Sequence, residues 1–443
     1  MTGLHIRNMA AMKSDKAIKI ILPAGARKPT QDDIKAAKQY IIDRSDAADE
    51  AQYVAGVSIQ EAAEKLVEIA YRYDIPVSRF AFDSEVNEDM MGEVSEVMDD
   101  LEESLMEDVQ DAALSCTKDN NRYIALLAIL LSLGHRNMSL RDTVHAYTWR
   151  VLRQAEALIA SMKASNLTKT EARTKIKTAI QHVNVNSEFQ TALKHPLDFA
   201  APYIRNGGKA TFPDGTPNVQ GVPVNGYDAI KTIFGIAVAQ IWMRNQLMDF
   251  KDSNVIIGFY QLRGSLLPCS VCDEAAHYYR ISDVSDEDPT KQGDIVHCNC
   301  MCYRVPIFKA DVATKEELAE NRAVIREEKS RIISEKYEHG DFHLSATLSS
   351  NAFDEWLNQP NTHMVAKNNL LLNLKEVFHD STYLGWGWDE KGNGIKTHLF
   401  ELSLEGTPNW IIVREIPNGD VRIHSISENP MIIYYVLRKR KGN

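Results

Sequence analysis

The chain has 443 residues, more than one hydrophobic core ordinarily organises, so several domains are expected. With 44% hydrophobic and 25% charged residues, its composition is that of a globular protein rather than a disordered or fibrous one. The net charge of −11 is unevenly placed: residues 83–111 hold thirteen carboxylates and no Lys or Arg, which leaves the rest near neutral and argues against a broadly basic nucleic-acid binder.

The longest apolar run, 123–133, is too short to cross a bilayer, which takes about 20 residues. The N-terminal charges Arg7, Lys13, Lys16 and Lys19 and the short Ile-Lys-Ile-Ile-Leu run do not make a secretory signal, so cytoplasmic synthesis and no membrane partner are expected. Residues 1–205 read as a helical body. Thr30-Gln-Asp-Asp33 opens one helix, and Ser58-Ile-Gln-Glu61 has the pattern of a capping box opening another. Val94, Val97, Met98, Leu101, Leu105 and Val109 recur at helical steps through the acidic window, which predicts an amphipathic helix with a solvated acidic face. Two further helices are expected over 139–163 and 167–193. Residues 206–226, with five Gly and three Pro, read as a long loop.

Region 227–310 begins with helical spacing over 227–250 and continues as a β-branched strand from Val255 to Leu262. It ends in a second strand, Tyr303 to Phe308. Between the strands lie five of the six cysteines, within 34 residues. In a cytoplasmic chain such clustering points to metal before disulfides. Cys269-Ser-Val-Cys272 can aim two thiolates at one ion, and His297-Cys298-Asn-Cys300-Met-Cys302 offers four more donors. The expected ligands of a closed, structural Zn²⁺ are Cys269, Cys272, Cys300 and Cys302, with His297 or Cys298 as substitutes. Asp273, Glu274 and His277 raise a catalytic metal as an alternative, which four available thiolates disfavour.

These residues carry a resemblance. A helical body, a long helix, a strand, Cys-x-x-Cys, a loop, His-x-Asn-Cys-x-Cys and a short strand resemble the Mu F-like family of phage head-morphogenesis (minor capsid) proteins. The family usually has Pro and Arg where this chain has Cys298 and Met301. The likeness is specific over 227–308 and architectural over 1–226. It implies a few copies per virion, portal or inner capsid proteins as partners, a role in head assembly or genome delivery, and presence in host cytoplasm during assembly. It says nothing of oligomeric state.

The charge-rich stretch 311–341 reads as a helical connector capped at Thr314 and ended by Gly340. Residues 342–443 read as a separate α+β domain with an antiparallel sheet. Helical pieces at 353–357 and 365–379 precede β-like runs at 397–404, 410–416, 421–427 and 431–437. Asn418-Gly419 signals a hairpin, and Gly385-Trp-Gly-Trp388 reads as punctuation. The domain resembles phage-borne nucleases of the Barnase–EndoU–Colicin–RelE superfamily, which implies metal-independent RNA cleavage and RNA as a ligand. Such chemistry needs a base, an acid and cations, for which His398, Arg414, His424, Ser427 and Lys367 are the candidates. On strict alternation His424 shares a face with Arg422, and Ser425 with Ser427. A purely structural virion protein with an inert C-terminal domain is the alternative. A zinc-ribbon nucleic-acid binder is disfavoured by the sparse Lys and Arg of 254–308.

Overall fold

The computed structural model describes residues 22–72, 84–132, 134–135, 138–164, 168–181, 226–264, 275–284, 302–311, 313–389 and 394–437. The protein combines a helical N-terminal body with a C-terminal region built on a largely antiparallel sheet.

Helix α1 (Gln31–Arg72) opens where Thr30 and Asp33 satisfy each other's backbone N–H groups through their side chains. It runs unbroken for 42 residues, so the Ser58 pattern opens nothing. Ser58 instead faces helix α2 (Ser84–Leu114), where its hydroxyl lies 3.0 Å from both Ser104 Oγ and Asp108 Oδ2. Tertiary hydrogen bonding thus overrides a local start signal. As expected, Val94, Val97, Met98, Leu101, Leu105 and Val109 are the buried face of α2. Helices α3 (Asn120–Ser132), α4 (Leu140–Ala164) and α5 (Lys169–Gln181) complete this part of the body. The centre is α6 (Gly226–Asp252), which buries Ile230, Phe234, Ile241, Trp242, Leu247 and Phe250. A helix so widely apolar belongs in the middle of a bundle.

From α6 the chain enters β1 (Ile256–Leu262), the middle strand of an antiparallel sheet with β2 (Tyr278–Arg280) and β3 (Tyr303–Phe308). Phe259, Val305 and Phe308 merge with the helical core. The wholly buried Arg304 lies over the Phe259 ring and donates to Met243 O at 2.9 Å.

The second sheet has the order β4 (Lys336–Glu338), β5 (Ser345–Leu348), β9 (Val421–Ser427), β8 (Thr407–Glu415), β7 (Lys396–Leu404), β6 (Thr382–Trp388). All neighbours are antiparallel except β5 and β9. Gly385-Trp-Gly-Trp388 is therefore strand rather than turn; Gly385, at φ 131, takes up an irregularity between Tyr383 and Gly385. One face, with Phe400, Ile411, Val413 and Ile423, is covered by α9 (Ser350–Asn358) and α11 (Leu374–Asp380), with α10 (Met364–Asn369) between them in the chain. The expected connector is built into this unit. Its helices α7 (Lys315–Glu327) and α8 (Lys329–Ser334) give Ile325 and Ile332 to the same core, and β4 follows them. The capping box Thr314–Glu317 is formed as expected.

The opposite face, with Leu399, Trp410 and Ile412, packs on α12 (Met431–Leu437). That segment, expected as a strand, is helical. Asn429 caps it by accepting from Met431 N at 3.0 Å, and Pro430 suits a helix start. Met431 and Tyr434 enter the helical body's core, so α12 joins the two units. Tyr434 donates to Asp249 at 2.8 Å and accepts from Asn245; Arg27 bridges Asp33 and Glu428. Burial pushes Asp249 up to about 6 against the pull of Arg122. A cleft of about 660 Å³ runs along this junction, with Arg122, Asp249, Glu401 and Trp410 in its walls. Among the described residues no helix is long and apolar enough to cross a membrane.

Candidate active site

The β8–β9 hairpin turns at Asn418-Gly419, with Gly419 at φ 90 where a side chain would be strained. Past the turn Arg414 pairs with Arg422 and Val413 with Ile423, but Ile412 then pairs with Ser425. His424 is the extra residue of a β-bulge, and bulges re-aim side chains. The bulge also breaks the alternation expected of β9. Arg422 and Ser425 share the Arg414/Ile412 face, while Ser425 and Ser427 remain together through Ile412 and Trp410.

The re-aimed imidazole meets the carboxylate of Glu355. On α9, Phe353, Trp356 and Leu357 point into the core, and Glu355 is left on the outer side. Glu355 Oε2 lies 3.6 Å from His424 Nδ1, with the side chains 47% and 27% exposed. Arg414 is close enough to act on both. Its outer nitrogen is 3.9 Å from Asp389, while its buried Nε has no hydrogen-bond partner among the described residues. Burial lowers His424 to about 4, helped by the Arg414 charge and opposed by Asp32 and Asp389. Burial raises Glu355, against Arg414 and with help from Asp32. Burial thus disfavours the charged form of both side chains. The cluster sets an imidazole, a partly exposed carboxyl group and a guanidinium with one unpartnered nitrogen near one another, the donor and acceptor types that acid–base chemistry needs.

His398 lies elsewhere. It pairs with Val413 on the ladder, so it and Arg414 occupy opposite faces of the sheet. The ring is buried: Nε2 is 3.1 Å from Glu415 Oε2, and Nδ1 is 3.2 Å from the Tyr383 hydroxyl. Burial lowers its pKa despite Glu415, and Phe342 stacks on Tyr383 beside it. Glu415 also binds Lys396 at 3.0 Å, and Lys396 sits 5.4 and 5.9 Å from the ring centres of Trp386 and Trp388.

Lys367 is completely buried, bonded to Trp356 O and, at 2.6 Å, to Gln359 O, carbonyls at the end of α9. Burial lowers its pKa to about 7. The Ser427 hydroxyl accepts from Asn429 N at 3.1 Å, in the turn that leads to α12. The structure thus brings His424 and Arg414 together and leaves His398, Lys367 and Ser427 apart from them. Sequence reasoning passed over Glu355, Asp389, Tyr383 and Glu415, because no local pattern separates them from ordinary surface residues.

Cys269, Cys272, His297, Cys298 and Cys300 lie outside the described residues. Cys302 is buried at the start of β3, and Leu262 pairs with Tyr303. This register directs the chain leaving β1 and the chain entering β3 to one end of the sheet, as donors from both stretches need in order to meet on one ion. Among the described residues no group of three His, Cys, Asp or Glu side chains could hold a metal. No protein-family model, curated protein or solved structure matches this chain.

Proposed function

We propose that this chain is a virion protein of the Mu F-like kind, seated at the portal or inner capsid, whose C-terminal domain cleaves RNA by side-chain acid–base chemistry. The observation that carries the catalytic half is the Glu355–His424–Arg414 cluster around the β9 bulge. In the proposed step His424 takes the proton of a ribose 2′-hydroxyl, and the freed oxygen attacks the adjacent phosphorus. The P–O5′ bond breaks, and Glu355 delivers a proton to the leaving oxygen. The products are a 2′,3′-cyclic phosphate and a 5′-hydroxyl. Arg414 offsets the charge gathered on the phosphorane oxygens. An incoming phosphate anion draws both pKa values upward, which suits an imidazole that starts as low as about 4.

The head-protein half is supported by the helical body and by the long α6 running into a three-stranded sheet in which Leu262 at the end of β1 pairs with Tyr303 at the start of β3. Cys269, Cys272, Cys300 and Cys302, with His297 and Cys298 as alternates, would hold a structural Zn²⁺ that cross-links the chain between those two strands.

The test is to incubate the full chain with total RNA without added metal, beside His424→Ala and Arg414→Ala variants. Wild type is expected to leave cyclic-phosphate ends, and His424→Ala to slow cleavage about 100-fold or more. A folded wild type that leaves RNA intact, or a His424→Ala variant as active as wild type, overturns the catalytic reading. That outcome favours an inert assembly domain, a reading already supported by the structural bonding of His398 and Lys367.

A further inference from the structure

The edge strand β6 ends in an aromatic pair the proposed chemistry does not use. Trp386 and Trp388 alternate on one face, perpendicular to each other with ring centres 5.3 Å apart, and Trp388 is 38% exposed. Their ladder partners are His398 and Lys396. Lys396 lies beside both indoles and pairs with Glu415, which is held below the usual carboxylate range first by its hydrogen bond from Lys396. The residue after Trp388 is Asp389, the carboxylate beside Arg414. The indoles share the His398 face, and Asp389, the next residue along, meets Arg414 on the other, so indole and guanidinium stand on opposite sides of one strand end.

We propose that Trp388, backed by Lys396, is a base-stacking subsite for a single-stranded nucleic acid flanking the phosphate held at Arg414. A half-open indole beside a cation is the elementary unit of single-strand binding, since every base has a face to stack and the aromatic surface does not read sequence. A duplex keeps its bases stacked on each other and offers no such face at an edge. Charge contributes little: Lys396 and Arg414 are offset by Glu415 and Asp389, so binding depends weakly on salt, unlike a phosphate-tracking groove. The inference borrows its placement from the cleavage reading and adds the substrate class, an unpaired strand.

The experiment measures anisotropy of a short fluorescein-labelled single-stranded DNA on the full chain; lacking the 2′-hydroxyl, the probe binds without being cut. Trp388→Ala is expected to weaken binding about tenfold and Trp388→Phe by less than about threefold, with the duplex of the same sequence a poor competitor. Matching thermal unfolding of the variants shows that the fold is kept. Equal affinity of wild type and Trp388→Ala, no binding by wild type, or a duplex that competes as well as the single strand overturns the proposal. A wild type that binds through Trp388 yet leaves RNA intact upholds the subsite and removes only the cleavage reading.

Discussion

Lys367 and His424 show how one residue type can be legible while its use is not. Lys367 stands in the sequence among candidate cations, yet it is buried and spends its donors on the carbonyls that close α9. Its pKa in the folded protein, about 7, lies below the ordinary lysine value, so the folded state binds fewer protons than the unfolded one. Its contribution to stability is complete above the ordinary lysine pKa and is lost as pH falls toward 7. Lys367→Met leaves the Trp356 and Gln359 carbonyls without this donor and should cost about 2 kcal/mol at pH 10 and less at pH 7, read by urea unfolding. His424 and Arg414 were legible as chemistry-bearing residues on paired strands. Their partner Glu355 was not, because it lies 69 residues before His424 on a helix whose docking no local pattern encodes.

Among the elements, β7, β8 and β9 were readable because they are rich in β-branched and aromatic residues and Asn418-Gly419 joins two of them. Strand β6 was hidden by its glycines, and α12 by a β-branched and aromatic run whose helical form is set by Asn429-Pro430 and by burial of Met431 and Tyr434. The segment 315–338 looked like a connector because its apolar residues are few, but the few are decisive. Ile325 and Ile332 are fully buried among Phe353, Trp356 and Leu371. Ile332→Ala should therefore destabilise the C-terminal unit by about 3 kcal/mol in chemical denaturation. A true connector would show almost no change.

At the scale of the whole molecule, the helical body and the sheet unit were each legible, but their joint was not. It depends on pairs such as Arg27 with Glu428, Asn429 with Asp33, and Tyr434 with Asn245, residues 189 to 401 positions apart. These polar contacts across the joint predict that the two units unfold together. Tyr434→Phe removes the donor to a buried carboxylate already raised to about 6, at a cost of about 1–3 kcal/mol. Calorimetry should show one transition for wild type and a broadened or split one for the variant.

Because α12 lends Met431 and Tyr434 to a core begun by Tyr40 on α1, that core gains its last side chains only when residues 431–437 have been synthesised. During translation the side of Tyr40 that meets Tyr434 stays uncovered while nearly four hundred further residues emerge. A ribosome that stalls in the C-terminal region would release a chain with an uncovered apolar flank, a substrate for a chaperone. Docking of α12 is in this way the step that closes the core of the helical body.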